Sequence, residues 1–244
     1  MRSETVRRSI VKAVSWRAFG SAATAALVFL FTRRAALSLG IGLLESLSKI
    51  ILYFVHERCW NRIGFGKHEL RPAVLWFTGL PSSGKSTLAE GVSRVLGQRG
   101  FRVEHLDGDA IRAIFPETGF SPQERDSHIR RVGHLASVLE RNGVLVVVSL
   151  VSPYAESRRL VRRTCRSFVE VYVSTPLEVC ERRDAKGLYA RARRGEILDF
   201  TGVDAPYEAP ERPELTIDTS ALSPSEGLAR IMDYVDKNFS TAAP

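Results

Sequence analysis

Two regimes of hydrophobic pattern divide the chain. Residues 18–32 carry no charge, and residues 35–55 carry only Glu45 and Lys49, which lie four apart on one helical face, where opposite charges can pair. Beyond residue 72 the apolar runs are short. Residues 73–78, 102–106, 144–148, 168–173 and 214–218 read as strands, and longer amphipathic stretches separate them, among them a charge-rich helix over 122–141. The run from Val144 to Val148 is apolar at every position, as in a strand covered by helices on both faces. This alternation predicts an α/β domain with a parallel sheet flanked by helices.

Charge separates the same two regions. Residues 1–71 hold 12 Lys and Arg against 4 Asp and Glu, and the remainder 23 against 23, so the whole net charge of +8 sits in the first region. Clustered cations can mark a nucleic-acid binder, but here they flank apolar segments, and no nucleic-acid partner is expected. The pattern predicts a membrane-anchoring helical hairpin over 1–60, a linker over 61–71, the α/β domain over 72–238 and a flexible tail over 239–244. Neither apolar stretch reaches the 18 or so uncharged residues of an unambiguous span. A hairpin lying in the membrane interface is therefore the other arrangement the pattern allows. Arg2, Arg7, Arg8, Lys12 and Arg17 precede the first segment, and Arg58, Arg62, Lys67 and Arg71 follow the second. They outnumber Arg33 and Arg34 in the turn, so a two-helix membrane protein with its α/β domain in the cytoplasm is expected. Cys59, Cys165 and Cys180 show neither pairing nor metal-ligand spacing and are expected to be reduced.

The chemistry begins at Gly79, Leu80, Pro81, Ser82, Ser83, Gly84, Lys85 and Ser86, which fit G-x-x-x-x-G-K-[ST] between a buried strand and a helix starting near Lys85. In such a loop glycines permit tight folding, and backbone N–H groups and the helix N-terminus face phosphates. Lys85 would reach the outer phosphates of ATP, and Ser86 would ligate Mg2+. The second strand ends in Leu106-Asp107-Gly108-Asp109, which puts two carboxylates beside that loop at the carboxyl edge of the sheet. Asp107 is the expected base or hydroxyl-orienting group and a second metal ligand.

Together these residues resemble the adenylyl-sulfate kinase family over nearly all of residues 72–237. The match runs through Phe77 to Thr87, Asp107-Gly108-Asp109 with Arg112, Gly119-Phe120-Ser121, and Arg125 with Ile129-Arg130-Arg131. It continues through Ser152-Pro153-Tyr154, Arg183-Asp184, Lys186-Gly187-Leu188-Tyr189, Phe200-Thr201-Gly202 and Ala205-Pro206-Tyr207-Glu208. The resemblance implies a P-loop kinase that transfers the ATP γ-phosphoryl group to the 3′-hydroxyl of adenylyl sulfate, uses Mg2+ and forms a homodimer. It also implies that Thr87, Arg183 and Lys186 join the loop in binding ATP, and that residues 182–204 form a lid. Phe120 and Phe200 would sandwich the substrate adenine, and Arg112 and Arg125 would hold anionic oxygens. Asp109, His128, Val151, Ser152, Thr201 and Gly202 would complete the acceptor site. Ser152 falls at a serine the family has been described as phosphorylating during catalysis. Direct in-line transfer is preferred here, because P-loop catalysis needs positioning and charge neutralisation more than a covalent relay.

The chain also departs from the family. Many relatives carry Asn where His128 stands, and often Phe-Ile where Leu150-Val151 stand. A tuned acceptor site is expected. A different nucleotide-like acceptor, such as a cytidylyl compound, is the alternative, and a non-enzymatic nucleotide-sensing membrane scaffold is a rival of another class. His105 and His134 lie outside every motif and are expected to be structural.

Overall fold

The computed structural model describes residues 68–115, 119, 121–242 and 51–60, with residues 11–12, 15–16, 19–20 and 48–49. The chain divides into two compact units, one essentially Leu70–Ser240 and the other Arg2–Glu69 with Thr241–Pro244.

The larger unit is built on five parallel strands: β1 (Val74–Gly79), β2 (Val103–Asp107), β3 (Leu145–Ser149), β4 (Phe168–Val173) and β5 (Leu215–Ile217), in the order β2-β3-β1-β4-β5. Helix α1 (Lys85–Gln98) follows β1, and α2 (Gly108–Ile114) and α3 (Pro122–Arg141) join β2 to β3. Helix α4 (Ala155–Thr164) joins β3 to β4, α5 (Leu177–Arg183) and α6 (Leu188–Arg193) lie between β4 and β5, and α7 (Pro224–Phe239) follows β5. The expected α/β class and all five expected strands are present.

The central strand explains the layering. All six residues of β1 are buried, and its alternate side chains enter different cores. Val74 and Trp76 pack with Ile129, Val132, Val146 and Val161; Leu75 and Phe77 pack with Leu88, Val92, Val171 and Ile231. Burial of a side chain such as Phe77 contributes about 1.5–3 kcal/mol. Because β1 has β3 on one side and β4 on the other, with crossovers leaving in opposite directions, the crevice beyond its carboxyl end is where open α/β sheets bind ligands. The helix starts aim at that crevice. Asp107 caps α2 by accepting from Asp109 N, and α3 opens with a capping box in which Ser121 and Glu124 bond reciprocally.

Part of the expected linker and tail is strand, over His68–Leu70 and Ser240–Ala242. Phe239 ends α7, and Ser240–Ala242 is a strand paired with His68–Leu70. Backbone pairing fixes both segments, and Arg71 N donates to Phe239 O at 3.0 Å.

In the smaller unit residues 51–60 are helical. His56 and Trp60 are buried, while Ile51, Tyr53, Phe54 and Val55 are exposed. Trp60 Nε1 donates to His56 Nε2 at 3.0 Å, and Ser15 Oγ lies 2.9 Å from the same nitrogen. Among the described residues no helix is long and apolar enough to cross a membrane. Most of the two expected spans, Glu45 included, lies outside the described residues, as does residue 61–67 of the linker.

Candidate active site

The turn after β1 is shaped by its glycines. Gly79 has φ +151, and a Cβ there would stand 2.5 Å from the Val173 carbonyl oxygen of the neighbouring strand; Gly84, at φ +96, caps α1. Neither position suits a residue with a side chain. Ser82 also has positive φ, at 58°. The loop is held from behind: Thr219 Oγ1 donates to Ser83 O at 2.8 Å and Thr175 Oγ1 to the same oxygen at 3.1 Å. Lys85 is buried, and its Nζ donates to Leu80 O at 2.6 Å and to Ser83 Oγ at 3.3 Å. Burial lowers its pKa to about 8, against the opposing pull of Cys180 and Asp107.

Asp107 is the hub of the next layer. Its Oδ2 accepts from Ser149 Oγ at 2.8 Å and Ser86 Oγ at 3.0 Å, and its Oδ1 from Asp109 N at 3.0 Å. Burial alone would raise its pKa, but these three donors outweigh it and hold the carboxyl below its ordinary value. His105 Nε2 lies 3.0 Å from Ser149 Oγ, so the histidine expected to be structural supports a serine that grips Asp107. Asp109 instead pairs with Lys186, which joins α2 to the segment before α6.

A cavity of about 720 Å³ opens beyond the loop, well within the range of small-molecule sites. Its wall includes Pro81, Ser82, Gly84, Lys85, Ser86, Thr87 and Arg183. Arg183 is aimed by Thr219, to whose Oγ1 and O it donates at 2.6 and 2.7 Å. The same wall includes Arg112, Arg125, His128, Val151, Ser152, Phe200 and Thr201, with Asp107, Asp109 and Lys186. Of the predicted site residues, Gly79, Leu80, Ser83 and Gly202 stand behind the wall. Gly202 makes room for Leu80 and Leu177, to which its Cβ would approach within 3.1 and 3.2 Å. Phe120 lies outside the described residues.

Several of these residues also bond to one another or to neighbouring segments. Arg125 is buried and donates to Thr201 Oγ1 and Asp199 O, so it clamps the chain segment that carries Phe200. Arg112 donates to Gly119 O at 3.1 Å. Phe200 packs edge-on against Tyr189, with centroids 5.0 Å apart, while still lining the cavity. Ser152, at φ +40, accepts from Trp76 Nε1 at 3.0 Å and donates to Thr78 Oγ1 at 2.9 Å, and it is 2% exposed. His128 is also 2% exposed, and neither ring nitrogen has a hydrogen-bond partner. Burial first, then the charges of Arg112 and Arg131, lower its pKa to about 4, so the ring is neutral near pH 7.

Sequence reasoning missed Ser149, Thr175 and Thr219, which no motif contains. One signal was available: all three fall at or just beyond the carboxyl ends of β3, β4 and β5, where ligands of parallel sheets bind. Chemically, the arrangement offers a phosphate cradle, an ionised carboxylate beside it, and a largely apolar chamber with cations and a neutral imidazole.

Comparison with known proteins gives this geometry a family. The family model described as adenylylsulphate kinase matches residues 71–218, and that described as "Predicted membrane protein (DUF2061)" matches residues 10–61. The adenylyl-sulfate kinase of Synechococcus sp. (strain JA-3-3Ab) is 49% identical over 163 residues, covering 66% of this chain and 93% of that protein. That of Bacillus pumilus (strain SAFR-032) is 45% identical over 172 residues, covering 69% and 87%. The solved Mycobacterium tuberculosis APS kinase CysC in complex with AMPPNP and APS superposes with a TM-score of 0.66 at 42% identity, covering 68% of this chain and 99% of that one. Through the segment that carries the P-loop, Asp107 and the cavity, the chain belongs to the adenylylsulphate kinase family.

Proposed function

We propose that this chain is an adenylyl-sulfate kinase held at a membrane, which makes 3′-phosphoadenylyl sulfate from ATP and adenylyl sulfate. The observation that carries the kinase reading is one cavity lined by Lys85 of the P-loop, Asp107, Arg125 and His128 together, in a chain of that family.

In this reading the loop amides and Lys85 bind the ATP phosphates, and Lys85 exchanges Leu80 O for a phosphate oxygen. Arg183, fixed by Thr219, adds positive charge on the same side. Asp107 orients the 3′-hydroxyl and takes its proton late. Its lowered pKa makes it a weak base, which suits a loose phosphoryl-transfer transition state that asks mainly for alignment and charge neutralisation. Ser86 and Asp107 fit Mg2+: a hydroxyl and an ionised carboxylate meet at 3.0 Å, a hard oxygen pair of the kind that leaves other positions to phosphate and water. Bound there, Mg2+ would neutralise charge on the phosphates. Among the described residues no group of three or more His, Cys, Asp or Glu could hold a metal ion. The engaged hydroxyl of Ser152 supports a loop-shaping role and direct transfer. The two unpartnered nitrogens of His128, one donor and one acceptor when neutral, support a contact to the acceptor. Asp109 and Lys186 tie the lid to α2, and the Arg125 clamp on Asp199 and Thr201 helps exclude water.

The membrane anchor rests on the family match over residues 10–61 and on a helix over 51–60 that exposes Ile51, Phe54 and Val55 while burying His56, the reverse of a helix made for water. The basic flanks support a kinase domain on the cytoplasmic side, and the family resemblance supports a homodimer. Steady-state kinetics of the full chain with Mg-ATP tests the acceptor: the highest kcat/KM is expected for adenylyl sulfate, and a higher value for a cytidylyl acceptor would overturn the assignment. Recovery of the full chain in a carbonate-washed membrane fraction tests the anchor.

A further inference from the structure

Arg158, on α4, belongs to none of the motifs above and lies outside the cavity wall, yet it is 2% exposed. Its Nε donates to Glu170 Oε1 at 2.8 Å, one terminal nitrogen to Ser152 O at 2.6 Å and the other to Glu208 O at 2.6 Å. The guanidinium also sits 5.8 Å from the Tyr207 ring centroid. One planar cation therefore joins β4, the turn after β3 and the chain that follows the lid.

The turn needs such support. Ser152 has φ +40, a conformation that residues with a Cβ seldom adopt, and it adjoins Val151, which lines the cavity. The same segments are cross-tied behind the guanidinium. Thr78 Oγ1 donates to Val151 O at 2.8 Å and lies 2.9 Å from the Tyr207 hydroxyl. Glu208 N donates to Pro153 O at 2.9 Å, and Glu208 Oε2 accepts from Ala155 N at 2.7 Å. No comparable bond runs from Arg158 to the P-loop, which Thr175 and Thr219 hold independently.

We propose that Arg158 is the positioning residue of the acceptor site: its fork fixes the Val151–Ser152 turn against the Tyr207–Glu208 segment, and so sets acceptor affinity without touching the acceptor or the ATP side. The inference rests on the reading that this end of the cavity takes adenylyl sulfate. Lysine cannot reproduce the effect, because a single ammonium cannot span two carbonyls and a carboxylate in the plane of a guanidinium. Loss of the fork also leaves Glu170 a cationic partner, since Arg162 lies 3.2 Å from it and is itself paired with Glu214 at 2.6 Å.

The test compares full-length wild type with Arg158→Lys and Tyr207→Phe, measuring acceptor KM, kcat and the Kd of Mg-ATP by titration calorimetry. For Arg158→Lys the acceptor KM is expected to rise about tenfold or more, the loss of a charged hydrogen bond or two, with the ATP Kd within about twofold of wild type. Tyr207→Phe keeps the ring beneath the guanidinium but removes the bond to Thr78, and should raise the acceptor KM by a smaller factor with the same ATP Kd. Parallel loss of ATP and acceptor affinity in Arg158→Lys, or an acceptor KM within twofold of wild type, overturns the proposal. Should Arg158→Lys fail to fold, Tyr207→Phe decides, and an unchanged acceptor KM there counts against it. The wild-type acceptor preference is read separately; if another acceptor is preferred, the same variants are measured with that one.

Discussion

Two parts of the cavity wall are made in different ways. The part proposed to take ATP is one contiguous turn, residues 79–86, whose shape comes from Gly79 and Gly84. The part proposed to take the acceptor is gathered from α3, the turn after β3 and the chain around Phe200, and it is held by side chains far apart in sequence: Arg125 to Thr201, Trp76 to Ser152, Arg158 to Glu208. A motif built from neighbouring residues tolerates little change, although Thr175 and Thr219 brace it from a distance. An assembled wall can be tuned at single positions, such as the buried His128.

The contrast makes predictions that differ in size. Asp107 should show the largest effect. Asp107→Asn keeps an acceptor for Asp109 N, so α2 should still be capped, while kcat falls about 10²–10⁴-fold; a fall below tenfold in single-turnover assays would remove it from the chemistry. On the ATP side Lys85→Ala should lower kcat about 10²–10³-fold, the cost of one preorganised charge donor, with a smaller change in acceptor KM. If the acceptor KM moved more than kcat, the two ends would not be separable as described.

Ser152→Ala sharpens the other side. The hydroxyl serves Trp76 and Thr78, so its loss should cost about 1–2 kcal/mol of stability and less than about tenfold in kcat. A loss as deep as that of Asp107→Asn would instead indicate a phosphorylated serine, which acid-quenched mass spectrometry would detect.

The smallest effect concerns pH. His128 has a folded pKa of about 4, below the ordinary value of about 6.5, so between these values the unfolded chain binds the proton first. Stability is fully present above about pH 6.5 and is lost as pH falls towards 4. Denaturant midpoints at pH 7 and pH 5 should therefore diverge more for wild type than for His128→Asn. Equal slopes would mean that the imidazole is already hydrogen-bonded.

Much of this was legible beforehand because periodicity and local geometry suffice for it. Short apolar runs gave the five strands, and the loop motif with Asp107 gave the ATP end, since glycine conformations and a strand terminus are local properties. Ser149, Thr175 and Thr219 were not legible: each is an ordinary hydroxyl residue that matters only because parallel pairing brings the ends of β3, β4 and β5 beside the loop. The pairing of Asp109 with Lys186 was hidden for the same reason, although both line the cavity.

What the chain determined by itself is the class of fold, the phosphate cradle and the separation of a basic, apolar first region from a charge-balanced second one. These depend on residue order over a few turns or strands. Only the tertiary structure decided how the acceptor end is held: that Ser152 is tied down by Trp76 and Thr78, that Arg125 clamps the lid chain, that Arg158 joins three segments, and that His128 is buried with both nitrogens unpartnered. The physical reason is distance in sequence. A hydrogen bond across 50 or 76 residues, as from Arg158 to Glu208 or from Arg125 to Thr201, exists only after the sheet has brought its ends together.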